Sequence, residues 1–254
     1  MRIVTLGDLH GRHRKMQVPE CDLLCCVGDY GAGRTSFAEM LDFAGWLDQQ
    51  PARKKVFIAG NHDHCLSERP APAFDTNVAI RTVHRQRYDA LIAGIEQYPD
   101  IEYLEDRTYN WEGLTIHGMP WSPAFHADYW VFNATEEQMV KHLAKIPTNV
   151  NILLTHGPAY GYMDLIPQEY AQPGEDLHKG CRQTLAVIQK RLKKLKLFAF
   201  GHIHNADTAN RAGSDNYGVR MVRVTNTKSV LFSNAACVDN SYQVVNPSPM
   251  IIHL

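Results

Sequence analysis

The chain has 254 residues, with 26 Lys+Arg against 27 Asp+Glu, 44% apolar and 21% charged content. This is ordinary globular composition, and it excludes a disordered, fibrous or collagen-like chain. The formal net charge of −1 gives no long-range field toward nucleic acid or a membrane surface.

The elements follow in chain order. Arg2–Asp8 is a short apolar run ending in Gly-Asp-Leu-His-Gly, and Asp22–Asp29 is a second, ending in Gly28-Asp29. Ser36–Gln49 carries Phe37, Met40, Leu41, Ala44 and Leu47 at helical spacing, with Thr35 or Ser36 as cap. Lys55–Asn61 is a third apolar run, followed by a loop over Glu68–Thr76 and a helix over Val83–Tyr98. Thr135–Ala144 opens Thr-Glu-Glu-Gln, a capping-box pattern. Val150–Gly157 is a fourth run, Pro167–Gly174 a loop, Cys181–Leu195 a helix and Leu197–His204 the fifth run. Ala206–Gly218 reads as a surface loop. Arg220–Ser233 and Gln243–Leu254 read as strands in antiparallel or mixed pairing.

The five runs lack clean alternation, which suits strands buried on both faces. Strands alternating with helices argue for an α/β layered fold. No composition shift marks a boundary, so a single domain over residues 1–254 is expected. Six scattered cysteines form no disulfide framework and fit a reducing, cytoplasmic compartment. The apolar stretches fall short of the roughly 18 residues of a spanning helix, so no membrane association is expected. The basic run Lys190–Lys196 reads as a solvated helix end, and nucleic acid is not an expected partner. An edge-strand or helix-face dimer is compatible with the pattern, but no stripe demands it.

The chemistry lies at the carboxyl ends of the five runs. Asp8 and His10, Asp29, Asn61 and His62, His156, and His202 and His204 occupy those ends. Ligands bind at the carboxyl ends of strands in α/β sheets, where loops converge. Carboxylate, amide oxygen and imidazole without thiolate suit manganese first, with iron or zinc as alternatives. Eight such groups are too many for one tetrahedral ion and suit two divalent ions sharing a carboxylate. Such a pair generates a hydroxide nucleophile near neutral pH and stabilises an in-line phosphoryl transition state. His13, His84, His126, His142, His178 and His253 have no ligand context, and His117 ends an expected strand before Gly118. Trp121, Trp130 and Phe132 either stack a nucleobase or pack the core.

Asp8-Leu-His10, Gly28-Asp29, Gly60-Asn61-His62-Asp63, His156-Gly157 and Gly201-His202-Ile-His204 resemble, in order, the motif series of the calcineurin-like metallophosphoesterases. Gly118-Met-Pro-Trp121, Trp130-Val-Phe-Asn133 and Asn234-Ala-Ala are similar to the metallophosphoesterase-domain-containing subgroup and its class III cyclic-nucleotide phosphodiesterase relatives. The resemblance implies a four-layer αββα sandwich of two mixed sheets with flanking helices, the metal site at the carboxyl-end edge. It implies that Asp8, His10 and His204 bind one metal, that Asn61, His156 and His202 bind the second, and that Asp29 bridges. His62 would then be the general acid, with Asp63 orienting its ring. Arg34, His64 and Asn133 are candidate substrate contacts.

The implied activity is hydrolysis of phosphodiesters of small nucleotides, cyclic ones included. The phosphoprotein phosphatase branch differs, since its second motif continues Val-Asp-Arg-Gly where this chain has Tyr30-Gly-Ala-Gly-Arg34. A phosphomonoesterase, and a non-catalytic metal- or nucleotide-binding regulator, are the alternatives.

Overall fold

The apolar runs become two sheets. The computed structural model describes residues 1–125, 128–204 and 216–254; His126 and most of the Ala206–Gly218 loop lie outside them. In chain order the elements are β1 (Arg2–Leu6), β2 (Cys21–Cys26), α1 (Phe37–Asp48), β3 (Ala52–Phe57), α2 (Val78–Ile95), β4 (Ile101–Tyr103), β5 (Arg107–Trp111) and β6 (Leu114–Met119). There follow β7 (Ser122–Pro123), β8 (Asn133–Ala134), α3 (Glu136–Ala144), β9 (Ile152–Thr155), α4 (Arg182–Lys190), β10 (Leu197–Phe200), β11 (Gly218–Thr225), β12 (Lys228–Asn234) and β13 (Ile251–His253).

One sheet has the order β13-β1-β2-β3-β4, and the other β11-β12-β10-β9-β6-β5. Strands β1 to β4 run parallel, as do β12, β10, β9 and β6; β13, β11 and β5 are antiparallel edges. Alternate residues explain the unbroken apolar runs. Ile3, Leu23, Cys25 and Val56 meet Ile116, Ile152, Leu154 and Leu197 between the sheets. Val4, Leu24, Cys26 and Phe57 face the other way, onto Met40, Phe43 and Leu47 of α1 and Leu91 and Ile95 of α2. Leu153, Phe198, Phe200 and Phe232 likewise face Met139 and Leu143 of α3 and Ile188 of α4. The result is the expected α/β/β/α stack, apolar on both faces of each sheet. Among the described residues no helix is long and apolar enough to cross a membrane.

The expected capping box of Thr135 with Gln138 forms, and of the two candidate caps for α1 it is Ser36 that serves, in a second box with Glu39. Other expectations need correction. Helix α2 starts at Val78 rather than Val83, because the Asn77 side chain accepts the Ile80 N–H at 3.0 Å. Its first turns are exposed, so no apolar spacing betrays them. Strands β4 and β5 have no counterpart among the expected elements. The β5–β6 hairpin turns on Glu112 and Gly113, both at positive φ (49° and 77°), the geometry of a primed two-residue turn. Helix α4 ends at Lys190, and Arg191 folds back to donate to the Leu143 carbonyl of α3 at 2.9 Å. Only Ile251–His253 of the expected Gln243–Leu254 strand joins a main sheet.

The two sheets are tied at the edge where the parallel strands end. Gly7 bridges Ala236, the Cys237 N–H donates to the Gly7 carbonyl at 3.0 Å, and the Thr5 and Ser233 hydroxyls meet at 2.7 Å. The loops after β1, β2, β3, β9 and β10 therefore open on one edge, and every sequence-predicted ligand lies in one of them.

Candidate metal centre

Two groups of side chains form at that edge. Asp8, His10 and His204 place one ligand atom each within 4.8 Å of one another, and Asp29, His156 and His202 do the same. In the first group His204 Nε2 lies 3.3 Å from both Asp8 Oδ1 and His10 Nε2. In the second, His156 Nε2 lies 3.2 Å from Asp29 Oδ2 and 2.9 Å from Asn61 Oδ1. Asp29 also approaches the first group, with Oδ2 at 3.9 Å from His10 Nε2.

The local backbone is bent to achieve this. Asp8, His10, Asp29 and His202 all sit at positive φ, between 41° and 68°. Residues with side chains rarely hold that conformation, and they cluster where function over-determines them. Two glycines clear the space. A Cβ on Gly201 would strike Asp8 Oδ2, and one on Gly60 would strike Asp29 Oδ1.

The donor set fits divalent cations. Asp8 and Asp29 are buried at 0% and 2% exposure, yet among the described residues their ion pairs go only to histidines. Two buried carboxylates without lysine or arginine are costly unless a cation joins them. Burial pushes His10 down to about 4 and His202 down to about 3, so both imidazoles are neutral at pH 7, the form a metal requires. Burial opposes the imidazolium of His156 too, but the charge of Asp29 outweighs it and holds the group up at about 9. A bound cation would take the place of that proton. The Nδ1 atoms of His156 and His204 donate to the Val27 and Asp239 carbonyls at 2.8 and 3.2 Å, leaving each Nε2 facing its group.

His62 stands beside both groups, its ring 4.8 Å from His10 and 4.1 Å from Trp130. Its main-chain N–H donates to Asp29 Oδ1 at 2.9 Å. Its Nδ1 meets the Gly33 carbonyl at 2.6 Å, and a carbonyl only accepts, so Nδ1 carries the hydrogen. Nε2 is then the nitrogen open to proton exchange.

Asp63 does not orient that ring. Its buried carboxylate accepts the N–H groups of Asp29, Tyr30 and Gly60 at 2.8, 3.0 and 2.8 Å and the Thr35 hydroxyl at 2.7 Å. It ties the loops after β2 and β3 together, and the Gly33 carbonyl orients the imidazole instead. Asp63→Asn turns an NH2 group either toward the Asp29 and Gly60 N–H groups or toward the Tyr30 N–H group and the Thr35 hydroxyl. A loss of about 3 kcal/mol is expected from unsatisfied buried groups, read as a fall in melting temperature of about 6–12 °C.

A cleft of about 470 Å³ opens over the groups, lined by Asp29, Asn61, His62, His202 and His204 and walled by Phe125, Trp130, Ile166, Tyr170 and Tyr242. Arg34, His64 and Asn133 do not line it. The Arg34 guanidinium lies 3.9 Å over Phe74, His64 packs behind Trp130 at 6.0 Å, and Asn133 donates to the Phe125 carbonyl at 2.8 Å. Trp121 stacks on His142 at 4.0 Å and Phe132 is buried in the core, so only Trp130 of the three aromatics reaches the cleft. Sequence reading missed Tyr170, Asn240 and Tyr242. Their only signals are the loop composition of Pro167–Gly174 for Tyr170 and the turn composition of Asp239-Asn240-Ser241 for the other two, which say nothing of what those segments pack against.

Two mixed sheets with Asp, Asn and His converging from five strand ends define a divalent-metal phosphoesterase. The chain belongs to the calcineurin-like phosphoesterase family, whose profile matches residues 1–206. It is 31% identical, over 265 aligned positions, to metallophosphoesterase domain-containing protein 1 of Homo sapiens and of Mus musculus, covering 100% of this chain and 71% of each relative. The UPF0046 protein T07D4.2 of Caenorhabditis elegans is 28% identical and covers 80% of this chain and 51% of its own. The fold is similar to the crystal structure of TT1561 of Thermus thermophilus, with TM-score 0.57, 10% identity and coverage of 99% of this chain and 97% of that one.

Proposed function

We propose that the chain hydrolyses a phosphodiester monoanion, with small nucleotides as the favoured substrate class. The lining of the cleft carries this reading. Among the described residues it holds the Asp29 carboxylate, imidazoles, amides and aromatic or aliphatic side chains, but no lysine or arginine. A phosphomonoester brings a further negative charge, which such a cation commonly meets. A diester brings one charge and a substituent on each side of phosphorus, which apolar walls accommodate. Trp130, Phe125, Tyr170 and Tyr242 offer faces on which a nucleobase stacks.

Asp8, His10 and His204 would hold one divalent ion and Asn61, His156 and His202 a second, with Asp29 between them. Two such ions supply a hydroxide nucleophile near neutral pH and charge neutralisation at phosphorus. His62 gives the proton on Nε2 to the leaving oxygen while Gly33 holds Nδ1 and fixes the ring. Trp130 covers one face of that ring. The mixed carboxylate, amide and imidazole donors are compatible with manganese, iron or zinc, and manganese is the ion we assign. The free, buried cysteines fit the cytoplasm.

The test is steady-state hydrolysis of bis(p-nitrophenyl) phosphate against p-nitrophenyl phosphate by the manganese-loaded chain. A higher kcat/KM for the diester is expected; preference for the monoester overturns the reading.

A further inference from the structure

A histidine that binds a metal through one ring nitrogen is normally anchored through the other. His156 and His204 meet that rule through the Val27 and Asp239 carbonyls. His10 does not. Its Nδ1 is buried and has no hydrogen-bond partner among the described residues, although the side chain is 2% exposed. What holds the ring is packing. Three aromatic edges surround it: His62 at 4.8 Å, His204 at 5.1 Å and Tyr242 at 4.6 Å, with interplanar angles of 85°, 71° and 78°. Two of these belong to the site itself. Tyr242, from the wall of the cleft, is the contact that is neither a candidate ligand nor the proposed acid, and it also packs on His204 at 5.7 Å and 84°.

Tyr242 is held there at a cost. It sits at φ 58°, a left-handed conformation unfavourable for a bulky residue. Its side chain is not core; the residue is 44% exposed, so burial does not explain the strain. The surrounding turn does the holding. Val238 bridges Val244, and the Asp239 carboxylate accepts the N–H groups of Ser241 and Gln243 at 3.0 and 2.9 Å. The Asp239 carbonyl accepts the Tyr242 N–H at 3.0 Å and also His204 Nδ1 at 3.2 Å. One peptide oxygen thus couples the turn to His204. The Cys237–Gly7 bond couples the same segment to the strand that delivers Asp8 and His10. This hairpin lies beyond the residues that match the family profile.

We propose that Tyr242 is a positioning residue for the Asp8–His10–His204 group: its ring clamps the His10 and His204 imidazoles edge to face, in place of the hydrogen bond that His10 Nδ1 lacks. The inference rests on reading those three residues as metal ligands. Left-handed backbone at this position is explained by that task, because the strain places a ring where an extended or helical residue would not.

Calorimetric titration of the metal-stripped full chain with manganese tests it, with thermal melting alongside. Glycine accepts positive φ without strain, so Tyr242→Gly should melt close to wild type. Tyr242→Asn, also tolerant of that conformation, is the second variant should glycine loosen the turn. In either, affinity for one of two ions should fall by about 10–100-fold while the other holds. Tyr242→Phe keeps the ring and should bind like wild type. A glycine or asparagine variant that binds both ions as tightly as wild type overturns the inference alone. So does Tyr242→Phe losing as much as Tyr242→Gly, which would assign the effect to the hydroxyl. A wild-type chain that takes up no ion overturns the ligand reading and the inference with it.

Discussion

Asp29→Asn should reduce phosphoesterase turnover by about 10³-fold or more, the scale of several kcal/mol of lost transition-state charge stabilisation. Asp29 is 2% exposed, and it is the residue that reaches both side-chain groups, at 3.2 Å from His156 and 3.9 Å from His10. Asparagine has the same shape and can still accept the His62 N–H through its carbonyl oxygen, so the loop after β2 should persist. What goes is the charge. Without it His156 loses the partner that outweighs burial, and neither group retains a carboxylate shared with the other. Elemental analysis should accordingly find fewer ions per chain in the variant than in wild type. A variant with wild-type metal content and wild-type turnover would remove Asp29 from its proposed bridging role.

His62→Ala should lower kcat by about 10²–10⁴-fold, the usual contribution of a positioned acid, with metal content unchanged. The separation follows from geometry. The hydrogen bond that His62 gives to Asp29 comes from the main chain, and alanine keeps it. The side chain belongs to neither ligand group. The loss should depend on the leaving group. A p-nitrophenolate departs without a proton, so its diester should be cleaved with a smaller defect than an alkyl diester, whose alkoxide needs one. Equal defects with both would mean that His62 binds the phosphoryl group rather than protonating the leaving oxygen.

The residues of the two side-chain groups were legible in the sequence for a physical reason. Each follows a buried parallel strand closely, so a local pattern of apolar run, glycine and polar residue carries the signal. The αββα layering was legible from the same runs, together with helices capped by Ser36 and Thr135. Other features depend on contacts that the local pattern does not contain. Asp63 follows His62 in the chain, but its carboxylate turns inward to the N–H groups of Asp29, Tyr30 and Gly60. The carbonyl that fixes the His62 ring belongs to Gly33, and a backbone oxygen leaves no trace in residue identity. Arg34 has the charge for a phosphate, yet Phe74 captures its guanidinium. Tyr242 reaches His10 only because the segment after β12 docks on Gly7, a pairing across more than two hundred residues. Strands β4 and β5 escape a sequence reading because β4 is only three residues long and β5 is half exposed, which gives no buried-strand run.

The proposed chemistry requires two ions, held by two side-chain groups that Asp29 joins. Its most direct test is the metal content of the purified wild-type chain and of Asp29→Asn, loaded with manganese and then dialysed. Two ions per wild-type chain, falling in the variant, is the predicted result. A wild-type chain that retains none, or one alone, would contradict it.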